Sequence, residues 1–251
     1  MFRPRIIPVL LLRDQVLVKT VRFGNPKYIG DPINAVKIFN DLKADELVFL
    51  DINATREKRC ISTDFVREVG EEANMPFAVG GGITEIDQIR ELINAGAEKV
   101  IIGSQAALDN NFIRKASDTF GASTIVVCMD VKKKLLGSEQ TWIMNGQKSS
   151  GMNPVEFATE MQKLGAGEII VQSIERDGTM NGYDLDLIAK VSAAVTIPVV
   201  ALGGAGKIQH MRDAYQQAHA TALAAGSMFV FYGPNKAVLI NYPTKEEISC
   251  F

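Results

Sequence analysis

Eight short apolar runs punctuate the chain, at residues 5–12, 46–52, 76–79, 99–102, 125–131, 168–173, 198–202 and 221–225. They are rich in Val, Ile and Leu and barely alternate, which is the pattern of parallel strands buried on both faces. Helical spacing fills the gaps between them. Asp31-Pro32 and Asn153-Pro154 each set a capping residue before a proline at the first helical position. Ile86, Ile89, Leu92 and Ile93 follow a weak capping box at Thr84 and Asp87, and Gly96 stops that helix. Phe157, Met161 and Leu164 repeat the spacing ahead of Gly165. Eight strand–helix units predict an α/β fold, a (β/α)8 barrel, as one domain over residues 1–251.

The pattern also repeats. The run at Glu46 recurs at Glu168, and Met75-Pro76 with its glycines recurs at Ile197-Pro198, both 122 residues on. Gly103-Ser104 matches Gly226-Ser227 one residue further. The barrel is therefore expected to consist of two duplicated half-barrels. Two regions break the rhythm. Residues 13–30 form a long polar connection, of the length usual for functional lids or disordered loops. Residues 132–151 carry a hairpin signal at Asn145-Gly146. Residues 237–243 look extended, so a full closing helix is in doubt.

Composition narrows the function classes. Of 251 residues, 47% are hydrophobic and 22% charged, which excludes a disordered chain. With 27 Lys and Arg against 29 Asp and Glu, the basic surplus of a nucleic-acid coat is missing. No apolar run approaches the ~20 residues that span a bilayer, and residues 1–15 lack the pattern of a secretory signal. A cytoplasmic protein with no membrane partner is expected. Cys60, Cys128 and Cys250 make neither a disulfide framework nor a CxxC pair, and His210 and His219 are too few for a metal site. No metal and no cofactor are expected. Trp142 is expected to pack the hairpin onto the barrel, and Lys132, Lys133 and Lys134 to form a solvated turn.

Candidate chemistry begins with glycine. Gly81-Gly82 and Gly203-Gly204 follow buried strands and precede helices, where bare backbone N–H groups can wrap an anion. Gly103-Ser104 and Gly226-Ser227 occupy the next turn in each half. One such loop would be an ordinary tight turn. Two symmetry-related pairs favour a phosphorylated small molecule with phosphate at both ends. Asp177, Gly178 and Thr179 would lie beside the second pair.

The motifs DELVFLDI, VGGGI, GAGEI, RDGT-x-x-GYD, GGAGK and AAGS run in order along the whole chain. In them the sequence resembles the cyclase subunit family of imidazole glycerol phosphate synthase. In that family a glutaminase subunit releases ammonia, which crosses the barrel and cleaves and cyclises a bisphosphorylated ribulosyl aminoimidazole carboxamide nucleotide. The resemblance implies an ammonia gate of Arg5, Glu46, Lys99 and Glu168 at the strand starts, with Glu98 facing a glutaminase partner in a heterodimer. It further implies Asp130 as a catalytic carboxylate at the fifth strand end, with Lys19 and Asp51 serving the ligand.

One departure stands out. The family's second catalytic aspartate falls, by the internal repeat, at Leu11, and leucine transfers no proton. Gly103, Gln172 and Leu202 also replace polar residues of other types. The segments at 10–14, 20–23, 27–35 and 237–243 look like a paralogous branch associated with acetamidino modification of surface sugars. Three readings follow. A delivery subunit would dock a glutaminase and pass ammonia to a sugar amidotransferase, for a lipopolysaccharide or flagellar glycan. A genuine cyclase of histidine biosynthesis is the second, and a phosphosugar isomerase on the same fold the third.

Overall fold

The computed structural model describes residues 3–134, 137–249 and 251. The first half runs β1 (Arg5–Arg13), β2 (Val16–Val21), β3 (Gly24–Gly30), α1 (Pro32–Asp41), β4 (Leu47–Asp51), α2 (Thr63–Glu72), β5 (Phe77–Gly80), α3 (Ile86–Asn94), β6 (Lys99–Ile102), α4 (Ser104–Leu108) and α5 (Asn110–Phe120). The second continues with β7 (Ile125–Lys133), β8 (Glu139–Ile143), β9 (Lys148–Ser149), α6 (Pro154–Lys163), β10 (Glu168–Ser173), α7 (Leu185–Ala194), β11 (Val199–Leu202), α8 (Ile208–Gln216), β12 (Ala222–Ala225) and α9 (Ser227–Val230). After these come β13 (Phe231–Tyr232), β14 (Ala237–Val238) and α10 (Lys245–Ser249).

Eight of these strands pair in parallel and close on themselves in the order β1, β4, β5, β6, β7, β10, β11, β12 and back to β1. The α/β fold is therefore a (β/α)8 barrel. Alternate residues of each strand face opposite sides. The bore is filled by Ile7, Val9, Val48, Ala78, Ile101, Val126, Ile170, Val200 and Ala224. The intervening residues, among them Ile6, Phe49, Phe77 and Val171, pack outward under the helices. Helix starts follow the expected chemistry. Asp31 accepts from the Asn34 N–H at 2.8 Å, and Asn153 accepts from Val155 at 2.9 Å, each with proline next. The capping box of α3 uses Glu85 and Gln88, one residue beyond the Thr84–Asp87 pair.

Three segments differ from or refine the sequence reading. The 13–30 connection is an ordered hairpin: the chain turns at Asp14 and Gln15 (φ 53° and 61°), β2 pairs back onto β1, and β3 onto β2. Its alternation is masked because Lys19 and Thr20 are buried polar residues. Residues 132–151 make two hairpins, with β8 antiparallel to both β7 and β9 and a positive-φ turn at Met144, Asn145 and Gly146. Lys132 and Lys133 therefore belong to β7, and the Lys132 ammonium stands 5.1 Å over the Trp142 ring. At the other end no long helix closes the eighth unit among the described residues. After four-residue α9 the chain runs extended, with Leu239 N–H donating to Val230 and Asn241 N–H to Phe229. Cys60 and Cys128 are unpaired, and Cys250 lies outside the described residues.

Candidate functional site

Closure of the barrel brings four charged side chains from distant strands into one ring at the strand starts. Arg5 of β1 donates to Glu46 and to Glu168, and Lys99 of β6 donates to Glu46 at 3.1 Å and to Glu168 at 3.1 Å. Each carboxylate thus serves two cations, and both are almost fully buried. Burial opposes the Arg5 charge, but Glu168 and Glu46 hold its pKa above the ordinary value. Glu98 sits exposed beside the ring. Directly above, Ile7, Val48, Ala78, Ile101 and Val126 surround a cavity of about 10 Å³ with Glu46 and Glu168 at its base. That is room for one water-sized molecule.

At the opposite end the strand ends and their loops enclose two connected hollows. The wide one, about 380 Å³, is lined by Leu11, Leu50, Asp51, Arg59, Gly81, Gly82, Gly103, Ser104, Cys128 and Asp130 among others. The narrow one, about 30 Å³, is lined by Lys19, Asp177, Gly178, Gly203, Gly204, Gly226 and Ser227. Leu11, Thr20 and Gln172 border both. Of the residues singled out in the sequence, Thr179 is absent from these linings. Its hydroxyl donates to Arg176 O at 2.7 Å and closes the turn that presents Gly178.

Strand register places Leu11 opposite Leu50, and Asp130 opposite Gln172. The repeat relates these two pairs, so Leu11 holds the place in the first half that Asp130 holds in the second. Burial, with Asp177 adding to it, pushes the Asp130 carboxyl up to about 7. It is thus poised to hold or release a proton near neutrality. Burial also raises the Asp177 carboxyl, against the Phe23 N–H, the Thr20 hydroxyl and Lys19. Thr20 donates to Asp177 at 2.9 Å and Phe23 N–H at 3.2 Å, which moors the β2–β3 hairpin over the site. Lys19 lies buried on β2, where it donates to Val9 O, and burial lowers it to about 8 despite Asp177. It reaches the mouth from a docked strand rather than from a free loop.

Asp51 has a different surrounding. Its carboxylate accepts from Asn53 and Ala54 N–H at 3.0 and 3.2 Å and from Arg59 at 2.6 Å. Arg59 also donates to Glu57 at 2.7 Å. Sequence reading passed over Arg59, because nothing in its local run marks it. The β8–β9 turn, also unforeseen at the mouth, donates from Met144 N–H to Ser104 Oγ at 2.9 Å and from Asn145 to Ile52 O. The glycines have a packing reason as well. A Cβ on Gly81 would stand 2.7 Å from Asp51 O, and one on Gly203 2.8 Å from Ser173 O. No group of three or more His, Cys, Asp or Glu placed to hold a metal occurs among the described residues. No helix among them is long and apolar enough to cross a membrane.

These features define a class: a closed (β/α)8 barrel with paired glycine loops at one end and an ion-pair ring at the other. Residues 5–233 match the family described as "Histidine biosynthesis protein", and the chain belongs to that family. A Leptospira borgpetersenii relative, named "Putative imidazole glycerol phosphate synthase subunit HisF", is 44% identical and covers 97% of this chain and 96% of its own. The Pseudomonas aeruginosa protein carrying that name as hisF2 is 42% identical, covering 97% of each. The Alkaliphilus metalliredigens "Imidazole glycerol phosphate synthase subunit HisF" is 42% identical, covering 91% of each.

Proposed function

We propose that the chain is the cyclase-type subunit of a two-subunit, glutamine-dependent synthase, as a single barrel domain that receives ammonia from a docked glutaminase and conducts it to the mouth. The observation that carries this reading is the Arg5, Glu46, Lys99 and Glu168 ring closing an apolar bore. Burying two carboxylates beneath partly exposed cations is costly, and a barrel floor is more simply sealed by apolar side chains. A ring of paired charges can instead part for a small polar molecule, and the cavity above it holds one. Apolar walls from Ile7 to Leu11 favour neutral ammonia over ammonium. At the mouth, the glycine loops with Lys19 and Ser227 in one half, and with Ser104 in the other, would hold a phosphorylated ligand. Asp130 would be its proton-transfer group.

Leu11 supports delivery over local cyclisation, because one missing acid or base costs roughly 10²–10⁴ in rate. On this reading the ammonia serves a separate amidotransferase acting on a surface sugar. The second reading, a working cyclase, is favoured by the near-neutral Asp130. Two measurements separate them. Mixing with a glutaminase of this family should give a heterodimer that Glu98→Arg weakens; no complex would overturn the conduit. Ammonia-dependent turnover of the bisphosphorylated aminoimidazole nucleotide at ~1 s⁻¹ or faster would overturn delivery alone. No turnover until Leu11→Asp is introduced would mean that only the acid–base pair was lost.

A further inference from the structure

Two loops build one wall of the narrow hollow, residues 178–182 after β10 and 203–206 after β11, and they interlock. Gly182 N–H donates to Gly204 O at 2.8 Å, and a Cβ on Gly204 would stand 2.2 Å from Gly182 O. A Cβ on Gly206 would meet Met180 O at 2.5 Å. The side chain that touches both loops comes from behind them: His210, in the first turn of α8. Its Nδ1 accepts from Gly206 N–H at 3.2 Å, and its ring lies along Gly182, with Cδ2 3.7 Å from where a Cβ would stand. His210 itself is absent from the lining of the hollow.

Imidazole chemistry makes this contact conditional. Nδ1 accepts only in the neutral ring with its proton on Nε2, whereas the imidazolium would turn an N–H toward the Gly206 N–H. Burial, with Lys207 adding to it, holds the His210 pKa below its ordinary value against the pull of Asp213. The facing stretch carries Arg176, whose Cβ packs at Gly204, Asp177, held by Thr20 and Phe23, and Asp184, which caps the Leu187 N–H. Tyr183 donates to Ala224 O at 2.9 Å, and residues 178–182 are uncharged. We propose that His210 is a positioning residue for the ligand site: while neutral it ties the 203–206 loop to the 178–182 loop and so fixes the backbone donors of the narrow hollow, and protonation releases them. This rests on the reading that the mouth binds a phosphorylated molecule, and adds a control that acts from outside the hollow. The tie holds at neutral pH and is lost as pH falls below the ordinary imidazole value of ~6.5.

Amide NMR of the full chain tests it across about pH 5 to pH 8, where histidine changes charge and the probe, sulfate, keeps its own. In the wild type the Gly206 amide should shift with the His210 ring. Its affinity for sulfate should fall, from about pH 7.5 to about pH 5.5, at least about threefold further than that of His210→Asn. Asparagine keeps an acceptor near the Nδ1 position and does not titrate. Lys19 and Asp130 are present in both chains, so the difference between the profiles belongs to His210. His210→Phe keeps the packing on Gly182 without the acceptor and should bind sulfate weakly throughout. Parallel sulfate profiles for wild type and His210→Asn would overturn the proposal and leave the phosphorylated-ligand reading standing. A Gly206 amide that ignores the His210 titration would overturn it too. A folded wild type that binds no sulfate at any pH would count against the ligand reading and take the proposal with it.

Discussion

The two halves of this barrel share a backbone but not a surface. A Cβ on Gly81 or on Gly203 would stand at almost the same distance from the counterpart carbonyls of Asp51 and Ser173, 2.7 and 2.8 Å. Leu11 stands where the second half has Asp130, Leu50 where it has Gln172, and Gly80 where it has Leu202. The glycines and the strand register keep the duplication legible. The side chains pointing into the mouth have diverged, so that Asp130 stands at the second-half strand end and the buried Lys19 lines the hollow beside the second-half glycines. Close packing tolerates little change in backbone approach, whereas cavity-facing positions exchange freely. At the other end the carboxylates Glu46 and Glu168 are repeat partners, but Arg5 and Lys99 both come from the first half. Both halves are needed to complete the ring.

The largest expected effect tests whether the shared glycines are structural. Gly82 has φ +64°, and a Cβ on it would stand 1.8 Å from Arg59 O. Gly204 has φ +113°, with Gly182 O 2.2 Å from its Cβ position. Alanine at either should cost about 3 kcal/mol or more, read as a lowered urea midpoint. Equal losses at both would confirm that the halves share these constraints. A mild loss at one would break the comparison there.

A second prediction concerns the side chain that sets the halves apart. The Asp130 carboxyl is raised to about 7 from 3.8, so the folded chain binds its proton more tightly than the unfolded chain does. That contribution is fullest below about pH 4 and is lost as pH rises through 7. Asp130 is partly open to the cavity, which trims ~1.4 kcal/mol per pKa unit to roughly 2 kcal/mol in all. Between about pH 4 and pH 7.5, wild type should therefore lose roughly 2 kcal/mol that Asp130→Asn does not. Parallel pH profiles would remove Asp130 as the proton-holding group.

The smallest effect marks a place where the halves part. Apart from its chain neighbours, no atom lies closer than 3.8 Å to a Cβ on Gly103. Gly103→Ala should cost about 1 kcal/mol, well below the loss at Gly82→Ala. Gly226→Ala, placed against Lys19 Nζ, should instead weaken phosphate binding. If Gly103→Ala proves as costly as Gly82→Ala, the first mouth is tighter than its geometry implies.

The barrel, its eight strands, the duplication and the proline-led helix starts were all readable from residues, because they rest on local periodicity and short-range capping. So were the ring and the glycine loops, through spacing and resemblance. The hairpin after β1 was not, because buried Lys19 and Thr20 interrupt its apolar alternation. Arg59 was missed for a related reason: its importance comes from Asp51, eight residues away across a loop. Sequence by itself determined which residues line each strand and that the chain would be a duplicated barrel. Only closure decided which groups meet: Arg5 with Glu168 across 163 residues, Lys19 with Gly226, Thr20 with Asp177. Strand periodicity is a property of neighbours in the chain, whereas the sharing of charge at the ion-pair ring and the mouth depends on distances that exist only once the last strand pairs with the first.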